Sequence, residues 1–172
     1  TVEMTEAREV HAIFSLNSYS LTVSTSGEGT ATGTGTYNHG DLANITATPA
    51  TGYSFGGWNG NGVTDANALS TSISMTANTS VSAIFELNAY NLSLSAGTGG
   101  TVSESGTHTF GSVVAIEATS NEGYYFNSWY GGTVEDESSF QTNVTINQNI
   151  SLSALFEINQ YTLSASTPTG GT

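Results

Sequence analysis

The stretch Gly52-Tyr53-Ser54-Phe55-Gly56-Gly57-Trp58 returns 71 residues later as Gly123-Tyr124-Tyr125-Phe126-Asn127-Ser128-Trp129. Both tryptophans of the protein belong to this motif. Residues two apart share one face of a strand, so Tyr53 and Phe55 point the same way, whereas the three-residue step to Trp58 requires a bulge or bend. We therefore predict that each copy forms the aromatic centre of one small β-unit.

The motif lies inside a longer repeat. Residues 17–87 align with residues 88–158 without a gap, and 26 of the 71 positions are identical. Turns and strands keep their spacing, which indicates a duplicated structure. We predict two complete repeats with these bounds, the closing strands of a preceding repeat in residues 1–16, and the start of a following repeat in residues 159–172. No spacer rich in Gly, Pro or Ser separates the copies, so we expect a rigid rod.

Apolar and polar residues alternate along most of each copy, as they do in half-buried strands. Tyr19, Leu21 and Val23 show this in the first strand, and a Thr-rich second strand is predicted from Thr30 to Tyr37. The predicted fold class is all-β, in tandem units of about six strands that are sandwich-like or β-grasp-like. The expected core residues are Tyr53, Phe55, Trp58, Phe85, Tyr124, Phe126, Trp129 and Phe156.

The net charge of −13, with one Arg and no Lys, excludes several classes of partner. Nucleic acids and anionic membrane surfaces need clustered basic side chains, and the chain has none. No run of apolar residues is long enough to span a membrane, so we expect no membrane insertion in this segment. With no Cys, stability must come from packing and not from disulfides.

The sequence offers no catalytic residues, so we predict that the protein is not an enzyme. A triad requires a base and its orienting acid to be held together. The three histidines, His11, His39 and His108, fall at unequal positions of the repeat. Tetrahedral zinc needs several converging nitrogen or sulfur ligands, which scattered histidines do not supply. We therefore expect no cofactor and no zinc.

Calcium is the one cation that remains conceivable, because acidic loops provide hard oxygen ligands. The candidates are Asp65 in the first copy and Glu135, Asp136 and Glu137 in the second. A single aspartate that recurs in a loop more often accepts hydrogen bonds from nearby backbone. Turn chemistry is thus the favoured interpretation and calcium the alternative.

Two tyrosines occur only in the second copy. Tyr125 and Tyr130 stand where the first copy has Ser54 and Asn59. Aromatic rings present an apolar body with a polar tip, which suits contact with a sugar. These two residues are therefore candidate glycan contacts.

The pattern as a whole resembles the divergent form of the internalin-B-type B-repeat. The likeness rests on the Tyr-x-Leu strand, the Gly-Thr turn, the Gly-Tyr-x-Phe-x-x-Trp motif, the loop with Asp65 or Asp136, and the Val-x-Ala-x-Phe terminal strand. It implies a small β-grasp-like fold that occurs in tandem in large secreted or surface-anchored microbial proteins, as a spacer or adhesive stalk. It implies no catalytic residues. Because no stretch here favours a helix, we expect an all-β version.

The predicted function is a non-catalytic structural segment of a large extracellular or cell-surface protein, either an adhesin stalk or a fibre spacer. Its partners would be neighbouring repeats of the same long chain. One alternative is a self-assembling filament subunit whose partners are other copies, because unpaired strand edges readily pair. A carbohydrate- or calcium-binding module is the other.

Overall fold

The structure is a computed structural model that describes residues 9–165. The chain divides between Glu86 and Leu87 into two compact units. Within the described residues all regular structure is β, as the alternating pattern predicted, and no helix there could cross a membrane.

Over its described residues the first unit contains seven strands. They are β1 (Ser18–Ser26), β2 (Gly29–Thr32), β3 (Gly35–Asn38), β4 (Leu42–Pro49), β5 (Tyr53–Gly60), β6 (Ser70–Ser74) and β7 (Thr79–Leu87). One sheet has the order β3-β1-β7-β5 and the other the order β2-β4-β6. Strands β1 and β7 are parallel, with Val23 opposite Val81. The pairs β1–β3, β2–β4 and β4–β6 are antiparallel.

The second unit repeats this arrangement strand for strand. Its strands are β8 (Ala89–Ala96), β9 (Gly100–Val102), β10 (Gly106–Thr109), β11 (Val113–Ser120), β12 (Tyr124–Tyr130), β13 (Gln141–Thr145) and β14 (Ile150–Ile158). The sheet orders are β10-β8-β14-β12 and β13-β11-β9. Strands β8 and β14 form the parallel pair.

Each unit is a two-layer sandwich, because the inward residues of both its sheets form one core. In the first unit Leu21, Ile45, Ile73 and Met75 are at most 1% exposed. The second unit uses Leu92, Ile116, Val144, Ile146 and Leu152 in the same way. The parallel central pair fits the grasp-like alternative, whereas the second layer is a sheet and not a helix, as the sandwich alternative requires.

Each unit has one strand more than the approximate count of six, because the Thr-rich segment predicted as one strand from Thr30 to Tyr37 forms two. The segment is interrupted at Gly33-Thr34, with β2 before the interruption in one sheet and β3 after it in the other. The Thr34 hydroxyl lies at the break and accepts the backbone N–H of Val23 at 2.9 Å. Ser105 does the same for Leu94 at 2.8 Å in the second unit. A side-chain hydroxyl thus replaces the strand partner that β1 or β8 loses there.

The two strands that close each unit lie in different sheets. Strand β6 pairs with β4, whereas β7 crosses to the other layer and pairs with β1. The turn asparagine between them caps the first strand, since Asn78 Oδ1 accepts the N–H of Ser20 at 2.9 Å. Asn149 accepts the N–H of Asn91 at the same distance. The turn therefore ties the end of each repeat to its beginning.

The segment that resembles β7 at the start of the chain forms no strand over its described residues. Val10, Ile13 and Phe14 are each more than 90% exposed. In both units the matching strand lies between two strands of its own repeat, whereas residues 10–14 pair with none of the strands in the described part of the chain. The prediction for residues 1–8 and that for residues 166–172 lie outside the described residues.

Candidate functional site

The aromatic centre has the same geometry in both units. The ring of Phe55 lies 5.8 Å from Trp58 and 6.1 Å from Phe85, edge-on or tilted. In the second unit the Phe126 ring lies 5.7 Å from Trp129 and 6.0 Å from Phe156. Such tilted pairs are favoured by the ring quadrupoles. The predicted bulge occurs between Phe126 and Ser128 in the pairing of β12 with β14.

Exposure divides the eight expected core residues. Trp58, Trp129 and Phe85 are buried, and the others are half-buried. Of these, Tyr53, Phe55, Phe126 and Phe156 pack against the core of their unit. Each indole also holds the loop that follows it. Trp58 Nε1 donates to the Ala68 carbonyl and Trp129 Nε1 to the Ser139 carbonyl, both at 3.0 Å. The motif thus fills the core and anchors a loop in the same place.

The recurring loop aspartate accepts hydrogen bonds from its own turn. Asp65 Oδ1 accepts the N–H of Asn67 at 2.9 Å. Asp136 Oδ1 accepts both the N–H and the hydroxyl of Ser138, at 2.9 and 2.7 Å. These hydrogen bonds lower the pKa of Asp136 because they favour the ionised carboxylate. The bond from the Ser138 hydroxyl has the largest effect, followed by that from the Ser138 N–H. Both aspartates therefore shape the loop.

The remaining calcium candidates, Glu135 and Glu137, make contacts with different parts of the second unit. Glu135 Oε2 accepts Nδ2 of Asn143 at 2.8 Å, and the backbone carbonyl of Glu137 accepts the N–H of Trp129. Across residues 9–165 no three His, Asp or Glu side chains lie close enough to hold a metal ion. Calcium binding stays a prediction.

Tyr125 and Tyr130 lie on the same outer face of the sheet. They pair with Glu157 and Ser153, which are four residues apart on β14, so the two rings are separated by roughly 13 Å along the strand. Tyr125 is 46% exposed and Tyr130 is 70% exposed. The Tyr125 hydroxyl donates to Glu157, whose other oxygen accepts Nδ2 of Asn127 at 2.6 Å. This pairing fixes one ring, and glycan contact by either stays a prediction.

The Tyr125–Glu157 pair makes a testable pH dependence. The hydrogen bond to the carboxylate is the main cause that raises the pKa of Tyr125 above 10.0, and partial burial and the charge of Glu157 add to it. A raised folded-state pKa stabilises the unit fully below the unfolded-state pKa, and this contribution is lost as pH rises through the folded value. We expect Glu157→Gln to lower the pKa of Tyr125 in a phenolate absorbance titration.

Tyr125→Phe identifies the group that titrates. In the wild-type background this variant should remove one high-pH step from the titration curve. Combined with Glu157→Gln, it should remove the step that Glu157→Gln alone moves to lower pH. A wild-type titration that is unchanged by Glu157→Gln would show that the carboxylate does not hold the phenol.

The histidines occupy three unrelated settings, as their unequal positions predicted. His11 is exposed, with Nε2 at 3.4 Å from Glu9 Oε2. His39 lies edge-on to the ring of Tyr19 at 5.9 Å, and His108 lies over Gly106 on β10. In the part of the chain that the structure describes, the three histidines therefore lie in separate places and do not form a cluster.

A groove of about 840 Å³ on the second unit is the largest of the three described concavities. Its walls are the segment after β12, the outward residues of β13 and the turn into β14. Glu135 lines it together with four amide side chains, after which we call it the amide groove: Asn143, Asn147, Gln148 and Asn149. Gly131 at its end has a φ of 107° and approaches the Ser151 carbonyl, so a side chain there would collide with the start of β14.

Sequence reasoning found Glu135 and missed the other groove residues. A signal was present, because the first copy has Thr64, Ser72, Thr76 and Ala77 where the second has Glu135, Asn143, Asn147 and Gln148. Each replacement adds a longer polar side chain. Only the fold shows that these four positions share one concavity.

The family described as "Divergent InlB B-repeat domain" matches the chain twice in tandem, over residues 19–89 and 90–160. The chain belongs to this family. Each B-repeat copy coincides with one set of seven strands and one aromatic centre. No curated protein and no solved structure matches the chain.

The divergent InlB B-repeat assignment places the chain among repeat modules of surface proteins. The side chains that both B-repeats share include those that build the unit, namely the aromatic centre, the loop aspartate and the turn asparagine. Glu135, Asn143, Asn147 and Gln148 of the amide groove and the two outer tyrosines occur in the second B-repeat alone.

Proposed function

We propose that this chain is a non-catalytic structural segment of a large extracellular or cell-surface protein, in which tandem B-repeats act as an adhesin stalk or fibre spacer. The observation that carries the proposal is the use of the recurring polar groups. Asn78, Asp65 and the Trp58 indole, with their counterparts, all bond to backbone of their own unit. The polar groups common to both copies therefore stabilise the fold of the unit, and a spacer requires no more than a stable unit.

Composition supports the same function. A surface that carries 14 acidic residues and one basic residue repels other copies of itself and stays soluble. The three described grooves contain no histidine, so no obvious base faces a bound substrate. The partners in this proposal are neighbouring repeats of the same long chain, and no cofactor takes part.

The test is how length grows with repeat number. Chains that carry two, four and six units are compared by small-angle X-ray scattering. A stiff spacer is expected to lengthen by a constant step of roughly 25–30 Å per unit, the diameter of a compact 71-residue body. A maximum dimension that grows as the square root of unit number would show flexible linkage and overturn the stalk.

The same samples test the filament alternative. Strands β5 and β12 are sheet edges, and such edges can pair with another chain. Light scattering that reports monomers at all concentrations supports the spacer. Concentration-dependent polymers support the filament.

A further inference from the structure

We propose that the amide groove of the second unit binds a neutral oligosaccharide. Asn143, Asn147 and Gln148 are exposed, and each amide offers one carbonyl acceptor and two N–H donors. Sugar hydroxyls both donate and accept, so a row of amides matches them group for group. The volume of about 840 Å³ lies within the range of small-molecule sites.

The groove is partly organised before any ligand arrives. The Asn143 amide donates to Oε2 of Glu135 at 2.8 Å, so each side chain orients the other. The second carboxylate oxygen of Glu135 and the amide oxygen of Asn143 can then accept a hydrogen bond from a sugar hydroxyl. Asn149 is also held, because its Oδ1 accepts the N–H of Asn91. Groups held in advance lose less entropy when they bind.

Apolar surface completes the match to a sugar ring. Val113, which is 64% exposed, and the half-buried Val134 line the groove beside the amides. One face of a pyranose ring is mostly C–H, and burial of such surface is favourable. A ligand with hydroxyls on its rim and C–H groups on its faces therefore uses both kinds of lining.

Charge limits the ligand to neutral sugars. The groove contains one carboxylate and no basic side chain, and residues 88–158 contain no Lys or Arg. A sulfated or uronic acid chain would find no counter-charge and would meet Glu135.

An extended peptide fits less well, because the edge of β13 is already used. Glu135 donates its backbone N–H to the Asn143 carbonyl at 3.0 Å, and the N–H of Asp136 donates to Thr142 Oγ1 at 2.9 Å. A peptide that adds as a strand needs those edge groups to be free. Side-chain recognition of a polyhydroxylated ligand does not.

The experiment uses the whole chain and a panel of unbranched neutral hexasaccharides of glucose, mannose, galactose or xylose, followed by amide NMR shifts and calorimetry up to millimolar concentration. Hexagalacturonate is the charged probe. We expect at least one neutral probe to shift groove amides and the charged probe to shift none.

The first unit supplies the matched variant. Glu135→Thr, Asn143→Ser, Asn147→Thr and Gln148→Ala introduce residues that the same fold accepts at the equivalent positions, and thermal melting checks that the unit remains folded. We expect at least about tenfold weaker binding, since several hydrogen bonds are lost. Tyr125→Ala with Tyr130→Ala, on the outer face, is expected to leave binding unchanged.

Four results would overturn the proposal: no neutral probe binds at millimolar concentration, hexagalacturonate binds as well as they do, the groove variant binds normally, or the tyrosine variant loses binding. The last result would move the glycan contact to Tyr125 and Tyr130. None of these results bears on the spacer function, which depends on unit length and stiffness.

Discussion

Replacing Trp129 with alanine is expected to destabilise the second unit by about 3–5 kcal/mol, the cost of removing a large aromatic side chain from a core. Trp129 is 3% exposed, packs on Phe126 and holds the loop through the Ser139 carbonyl. A compact unit of this size has a total stability of about 4–10 kcal/mol. The variant should therefore lose most of its stability, as measured by denaturant unfolding with circular dichroism.

Two other variants separate the contributions at this site. Trp129→Phe keeps a ring and loses the indole N–H, so it should cost less than alanine, with about 1–3 kcal/mol from the unsatisfied Ser139 carbonyl. Tyr130→Ala, on the exposed face of the same strand, is expected to change stability by less than about 0.5–1 kcal/mol. If Trp129→Ala cost no more than Tyr130→Ala, the aromatic centre would not be what stabilises the unit.

Trp58→Ala is expected to have an effect of the same size on the first unit, because its indole has the equivalent partners. Each variant also leaves one tryptophan in the chain. The fluorescence of that tryptophan then reports the unfolding of the unaltered unit.

Adding a side chain at Gly100 is expected to have the second large effect. A Cβ there would lie 2.2 Å from the ring of Phe156, and one at Gly29 would lie 2.5 Å from the ring of Phe85. These glycines are needed for space, since each forms the surface on which a ring rests. Gly100→Val should cost at least about 1–3 kcal/mol, the usual penalty for overpacking.

A double-mutant cycle tests this cause directly. Phe156→Leu shortens the opposing side chain, so Gly100→Val should cost less in that background, with a coupling of about 0.5–3 kcal/mol. Thr101→Val is the control, because Thr101 is exposed on the same strand and valine has the same shape. Additive effects of the Gly100 and Phe156 changes would mean that the ring contact is not the source of the penalty.

The candidate sites were predicted from sequence to different extents. The recurrence of Asp65 as Asp136 pointed to turn chemistry, and both carboxylates bond to their own loops. The tyrosines of the second copy were found because they differ from the first copy, and the same comparison could have found Asn143 and Gln148. It did not, because those residues are separated along the chain and come together only where β13 turns into β14.

The sequence by itself determined the unit and its interior. The 71-residue offset gave the repeat, the alternation gave the inward face of each strand, and the aromatic spacing gave the bulge. These features are local, since they depend on residues a few positions apart.

Only the tertiary structure decided which strands are neighbours. The division of the Thr-rich segment between two sheets, the parallel contact of β1 with β7, and the crossing of the closing strands all join distant parts of the chain. Alternation shows which face of a strand is buried, but it is the same whichever strand lies alongside. Pairing is settled by the packing of the whole core, and the amide groove follows from that packing.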